Sequence, residues 1–146
     1  MYYTMSSNGE WMAGFTCKLG NMSSTVAELW ALKDGLNVAK QLGIDNICIK
    51  VDIEFIVHFV SSPSAVNLML EPLLTDCRNL IKTFPHHTVT HVFREANGCV
   101  DCLACMGAIL NHDFDVHILY NPSDVVVDLL AKEKAKTAYC NRLIVS

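Results

Sequence analysis

The sequence predicts an α/β fold in which helices flank a sheet, and three stretches predict it. Asn46-Ile47-Cys48-Ile49-Lys50-Val51-Asp52 alternates Ile47, Ile49 and Val51 with Asn46, Cys48 and Lys50, the period-two pattern of a strand with a packed face. Helical patterns lie on both sides of it, from about Thr25 to Leu42 and from about Glu54 to Val60. Nearer the start, Asn8-Gly9 stands between two strand-like runs, Met1 to Met5 and Trp11 to Cys17, and such a pair is the strongest short hairpin signal.

The other elements follow in order. Thr25-Val26-Ala27-Glu28 has the form of a capping box, Leu29, Leu32, Leu36 and Ala39 continue at helical spacing, and Gly43 ends that helix. Ser61-Ser62-Pro63-Ser64 reads as a loop. A helix follows from Leu70 to Phe84, with Leu70, Leu73, Leu74, Cys77, Leu80 and Ile81 inward and Pro85 as its stop. Thr88 to Phe93 reads as a strand that leads through Arg94-Glu95-Ala96-Asn97-Gly98 into a helix over Cys99 to Met106. Beyond Asn121-Pro122-Ser123, Asp124 to Ala138 is again helical, with Val126, Leu129 and Leu130 on one side. The predicted organisation is a domain over residues 1–120 and a C-terminal helical tail over 121–146.

Composition narrows the classes. The chain has 146 residues, 51% of them hydrophobic and 18% charged, which excludes disorder and fits one domain with a large core. A formal charge of −4 excludes a global basic field for nonspecific nucleic-acid binding, although an enzyme holding metal between carboxylates is compatible with it. Seven cysteines, an odd number, and an amino terminus without a basic and apolar leader read as reduced thiols in an intracellular protein. No apolar run reaches the length of a membrane span, so no membrane partner is expected.

Three acids stand where such folds place chemistry. Asp52 closes the strand at its carboxyl end, where open α/β sheets bind ligands. Glu28 lies one turn into the preceding helix and Asp101 in the first turns of the helix after the later strand. Each also has a plain structural role: helix cap for Asp52, capping-box acid for Glu28, dipole complement for Asp101. Together they supply the hard oxygens that a pair of magnesium ions needs to activate water in phosphodiester hydrolysis.

These residues carry a resemblance. Asn8-Gly9-Glu10-Trp11, Ser24-Thr25-Val26-Ala27-Glu28-Leu29-Trp30-Ala31-Leu32, Asp52, and His91-Val92-Phe93-Arg94-Glu95-Ala96-Asn97-Gly98-Cys99-Val100-Asp101 resemble the ribonuclease H-like domains common in plant genomes, which are related to the reverse-transcriptase-associated kind. The resemblance runs in order over roughly residues 6 to 110. It implies a ribonuclease H-like mixed sheet of five strands flanked by helices, and an endonuclease that cuts the RNA strand of an RNA–DNA hybrid with two Mg²⁺, Mn²⁺ being an alternative ion. It also implies that Glu28, Asp52 and Asp101 are the catalytic metal ligands.

The family's first strand carries a further Asp, and that strand has no counterpart here, so the fold is expected to be N-terminally truncated. Ile53 stands where a small Ser is usual, and no His precedes Asp101 in its loop; His91 lies within the strand. Because the first strand is interior to the sheet, its loss is expected to leave a gap and unpaired strand edges. Marginal stability or oligomerisation through those edges follows. Two alternatives to the nuclease stand beside it, a catalytically inactive nucleic-acid-binding or interaction module and a transposon-derived gene fragment.

Other polar groups read as structural. Cys99, Cys102 and Cys105 form a C-x-x-C-x-x-C run, but the fourth ligand of a ferredoxin-type run would fall at Ile109, so they read as core. His86-His87 and the cluster His112, Asp113, Asp115 and His117 read as solvated loops. Lys132, Lys134 and Lys136, near Tyr139 and Arg142, read as a basic helix end.

Overall fold

The structure, a computed structural model, describes residues 2–6, 10–17, 23–62, 67–93, 98–108, 116–133 and 141–145. Strands β1 (Tyr2–Met5) and β2 (Trp11–Cys17) pair antiparallel, Tyr2 opposite Phe15, with an irregularity between Thr4 and Met5. Helix α1 (Ser24–Gln41) leads to β3 (Asn46–Val51), and α2 (Glu54–Ser61) and α3 (Glu71–Lys82) carry the chain to β4 (His86–His91). Then come α4 (Gly98–Ala108), β5 (Val116–Leu119), α5 (Asp124–Glu133) and β6 (Asn141–Val145). The sheet is mixed, in the order β4-β3-β6-β1-β2-β5, with β4, β3 and β6 mutually parallel and the remaining pairs antiparallel.

The last strand changes the expected picture. β6 is interior: Leu143 pairs with Thr4 of β1 on one side and with Ile49 of β3 on the other, and Val145 pairs with Tyr2 and Val51. The gap expected between the opening hairpin and β3 therefore does not open, and the sheet has six strands among the described residues, where the resemblance implied five. The C-terminal segment does hold a helix, α5, but its end is not helical. Arg142-Leu143-Ile144-Val145 buries Leu143 and Val145 on one face of the sheet and Ile144 on the other, a packing that a β-branched apolar run favours.

Those two faces make two cores. Leu29, Leu32, Leu36 and Ala39 of α1 pack with Ile56 of α2 and Leu74, Cys77 and Ile81 of α3 over Ile47, Ile49, Val51, Leu143 and Val145. Each fully buried leucine there contributes on the order of 1.5–3 kcal/mol. On the opposite face Cys99 and Leu103 of α4 and Val126 and Leu130 of α5 cover Met5 and Ile144. Gly35 allows the close approach of α1 to the sheet, since a Cβ there would meet Leu143 Cδ1 at 2.8 Å and Tyr2 Cγ at 3.1 Å. Gly43, at φ +72°, takes the left-handed turn that ends α1, its amide donating to Lys40 O at 3.0 Å.

Several local expectations shift. His86 and His87 lie at the start of β4 rather than in a loop, and both are exposed. Within the C-x-x-C-x-x-C run only Cys99 is fully buried; Cys102 packs against the smaller core and Cys105 is exposed, because successive i+3 steps rotate round the helix. These three and Cys77 are free thiols, whereas Cys48 is disulfide-bonded, against the expectation that all seven are reduced. A cysteine count does not say which sulfurs the fold brings together. No helix among the described residues is long and apolar enough to cross a membrane. His112, Asp113, Asp115, Lys134, Lys136 and Tyr139 lie outside the described residues.

Candidate functional site

The site forms at the carboxyl end of β3. Helix α1 begins at Ser23, whose Oγ accepts from the Val26 amide at 3.4 Å, so the cap is Ser23 and the box expected from Thr25 to Glu28 does not form. One turn later the helix turns Glu28 inward, where it is 3% exposed. Its Oε1 accepts two backbone amides across the fold, from Asp52 at 3.1 Å and from Ile53 at 3.2 Å. Glu28 is thus committed to the end of β3 instead of to its own helix.

Asp52 is likewise not the cap of the next helix. Ile53 occupies the N-cap of α2 and makes no side-chain cap bond, while the Asp52 carboxyl hydrogen-bonds that of Glu28. Two carboxyl groups in contact share a proton, because both cannot ionise in a poorly solvated place. Burial first, then the hydrogen bond and charge of Asp52, push the Glu28 carboxyl up to about 9, and the two amide donors offset part of this.

A third group joins from β4. His91 Nε2 lies 3.1 Å from the Asp52 carbonyl oxygen, and a carbonyl only accepts, so Nε2 carries hydrogen and donates. The imidazole ties the ends of β3 and β4 beyond their last ladder bond, in which the Val92 amide donates to Val51 O at 3.0 Å. The sequence places His91 within the strand, apart from the loop position of the family's histidine, and by itself gives it no role at the site. Its register, opposite Val51 and next to Asp52, is the signal that finds it.

Glu28 and Asp52 are brought together. Asp101 is in the first turn of α4, as expected, but its side chain lies outside what is described. Among the described residues no group of three or more His, Cys, Asp or Glu side chains forms a metal cluster.

A mixed sheet with helices on both faces, and with acids converging at the end of an inner parallel strand, defines a ribonuclease H-like α/β domain. The chain belongs to the reverse transcriptase-like family, which matches residues 4–107. It is 29% identical over 123 residues to an Arabidopsis thaliana protein named "Putative ribonuclease H protein", an alignment covering 84% of this chain. The chain spans about a fifth of that relative's length, 19%.

Proposed function

We propose that the chain is a nucleic-acid-binding ribonuclease H-type domain that hydrolyses the RNA strand of RNA–DNA hybrids, with Glu28, Asp52 and Asp101 holding Mg²⁺ or Mn²⁺. The observation that carries the reading is the contact between the Glu28 and Asp52 carboxyls at the end of β3, with Glu28 buried and its carboxyl held protonated near neutrality. The donor set fits the ion: hard carboxylate oxygens, already convergent, in which a divalent cation replaces a shared proton. When bound, the metal supplies the activation of water and the stabilisation of the leaving oxygen.

The chain's own residues have separate tasks. The amides of Asp52 and Ile53 hold Glu28 Oε1, which fixes the carboxyl and lowers the cost of ionising it when its proton leaves. His91 holds the Asp52 backbone, so that the Asp52 side chain departs from a fixed point. In this reading Asp101, carried by the first turn of α4, supplies the third acid.

One observation favours a second reading, a binding module without cleavage. The inner strand beside β3 is β6, and Asn141-Arg142-Leu143-Ile144-Val145 brings no carboxylate to the site. Incubation of a labelled hybrid with the purified chain in Mg²⁺ and in Mn²⁺, beside Asp52→Asn, decides between them. Cleavage by the parent and not by the variant supports the nuclease; hybrid binding with no cleavage by a folded parent replaces it with the binding module.

A further inference from the structure

Away from the carboxylates, a cavity of about 320 Å³ opens beside β4, between the last turn of α2 and the second half of α3. Val60, Ile81 and Val89 form its apolar wall, and all three pack in or against the larger core. Arg78, Lys82 and His87 line it as well, and among the described residues no carboxylate does. β4 is the outermost strand on this side, so among the described residues no further strand closes the cavity. His87 pairs opposite Ile47, whereas His91 pairs opposite Val51, four residues further along and about 13 Å away at the rise of a strand. The cavity is thus separate from the Glu28 and Asp52 site.

Of the three polar groups, Arg78 has a structural role. Its Nε and Nη2 donate to Phe59 O at 2.9 and 2.7 Å and its Nη1 meets Glu71 Oε1 at 2.7 Å, which satisfies a carbonyl at the end of α2 and balances the charge. What it brings to the cavity is a fixed wall. Lys82 and His87 have no such explanation. Lys82 is exposed in the last turn of α3 and makes no ion pair among the described residues, and His87 donates from Nδ1 to Phe84 O at 2.9 Å, which leaves Nε2 without a partner there. A single exposed lysine is ordinary, since water is its usual partner. A lysine and an imidazole together on an acid-free cavity with an apolar wall are not, in a chain with 15 acids against 11 lysines and arginines, and they make a complementary surface for an anion.

We propose that this cavity binds a small organic anion, an apolar ring bearing one phosphate or carboxylate group, with the ring against Val60, Ile81 and Val89 and the anionic group toward Lys82 and His87. Its volume is at the lower end for small-molecule sites, which suits one or two fused rings rather than a longer chain. Inorganic phosphate lacks the apolar part and a neutral ring lacks the charge, so neither alone fills both halves. The proposal is independent of hydrolysis at the carboxylates, because the ligand needs no metal and touches neither Glu28 nor Asp52.

The test is isothermal titration calorimetry of the purified chain in EDTA with naphthyl phosphate, naphthoate, inorganic phosphate and naphthalenemethanol, repeated on Lys82→Glu, Lys82→Arg, Lys40→Glu and Asp52→Asn. Lys82 and Lys40 are both exposed, so folding is not at stake, and Lys40→Glu changes the overall charge equally at a residue that does not line the cavity. The expected result is saturable binding of naphthyl phosphate at one site, weaker binding of inorganic phosphate and of naphthalenemethanol, a loss of about tenfold in Lys82→Glu, and binding like the parent's in the other three variants. Naphthoate that binds as tightly makes carboxylates equal ligands, and naphthoate that fails narrows the class to phosphate esters; either result upholds the cavity. No saturable binding, binding by Lys82→Glu equal to the parent's, or inorganic phosphate or naphthalenemethanol binding as tightly as the whole ligand overturns it. An equal loss in Lys40→Glu overturns it too, by reducing the effect to overall charge, as does a loss in Asp52→Asn, by moving the ligand to the carboxylate site.

Discussion

Replacing Glu28 by glutamine should stabilise the metal-free protein, and by an amount that grows with pH. The Glu28 carboxyl titrates at about 9 in the folded chain against an ordinary value of 4.5. Folding therefore favours the protonated form. The associated stability is complete below about 4.5 and is lost progressively as pH rises toward about 9, where the folded state in turn must ionise a buried group. At pH 7.5, about three units above the ordinary value, the loss is at most about 4 kcal/mol at 1.36 kcal/mol per unit. Glutamine has the shape of the protonated acid. Its oxygen still accepts the Asp52 and Ile53 amides and its NH₂ donates to Asp52, so the contacts survive while the titration disappears. Urea unfolding of parent and Glu28→Gln in EDTA at several pH values from 5 to 9 reads the difference directly. A gap in unfolding free energy that widens with pH, toward at most about 4 kcal/mol near pH 7.5, is expected. A variant that is less stable than the parent throughout, or a gap that does not change with pH, would refute the placement of Glu28 against Asp52.

Other expectations follow from the same geometry. Above pH 7, Mg²⁺ should raise the melting temperature of the parent, by an amount equivalent to about 2.7 kcal/mol at a hundred times its dissociation constant, and should leave Asp52→Asn unmoved; equal shifts in both would place the ion elsewhere. Leu143→Ala should cost about 2–5 kcal/mol in urea unfolding, because Leu143 is fully buried between α1 and the inner strands, and a cost under about 0.5 kcal/mol would mean that β6 is not in the sheet. Tyr2→Phe should leave stability unchanged or raise it by about 1 kcal/mol, since the Tyr2 hydroxyl is buried with no hydrogen-bond partner among the described residues while its ring stacks on Phe15; a clear loss in calorimetry would reveal a partner for that hydroxyl. Gly43→Ala should cost about 1 kcal/mol for purely conformational reasons, as a Cβ there would touch nothing within 4 Å; a loss above about 3 kcal/mol on thermal unfolding would point to a clash instead.

Local pattern determined most elements of this chain. The alternation of Ile47, Ile49 and Val51 specified β3, the 3.6-residue spacing of Leu29, Leu32 and Leu36 specified α1, and Gly43 marked its end, because period, capping and left-handed φ are properties of a few neighbouring residues. The identity of the acids was legible too, since Glu28 and Asp52 sit at fixed offsets within motifs. Their roles were not. Whether Glu28 caps its own helix or accepts amides from the end of β3 depends on how α1 lies across the sheet, and sequence spacing leaves both open. The same holds for His91, whose partner is 39 residues away. Tertiary structure alone decided the place of β6. A four-residue run such as Arg142-Leu143-Ile144-Val145 can end a tail or fill a sheet, and it fills the sheet here because β1 and β3 each present an open row of amides and carbonyls and two cores need their inner layer.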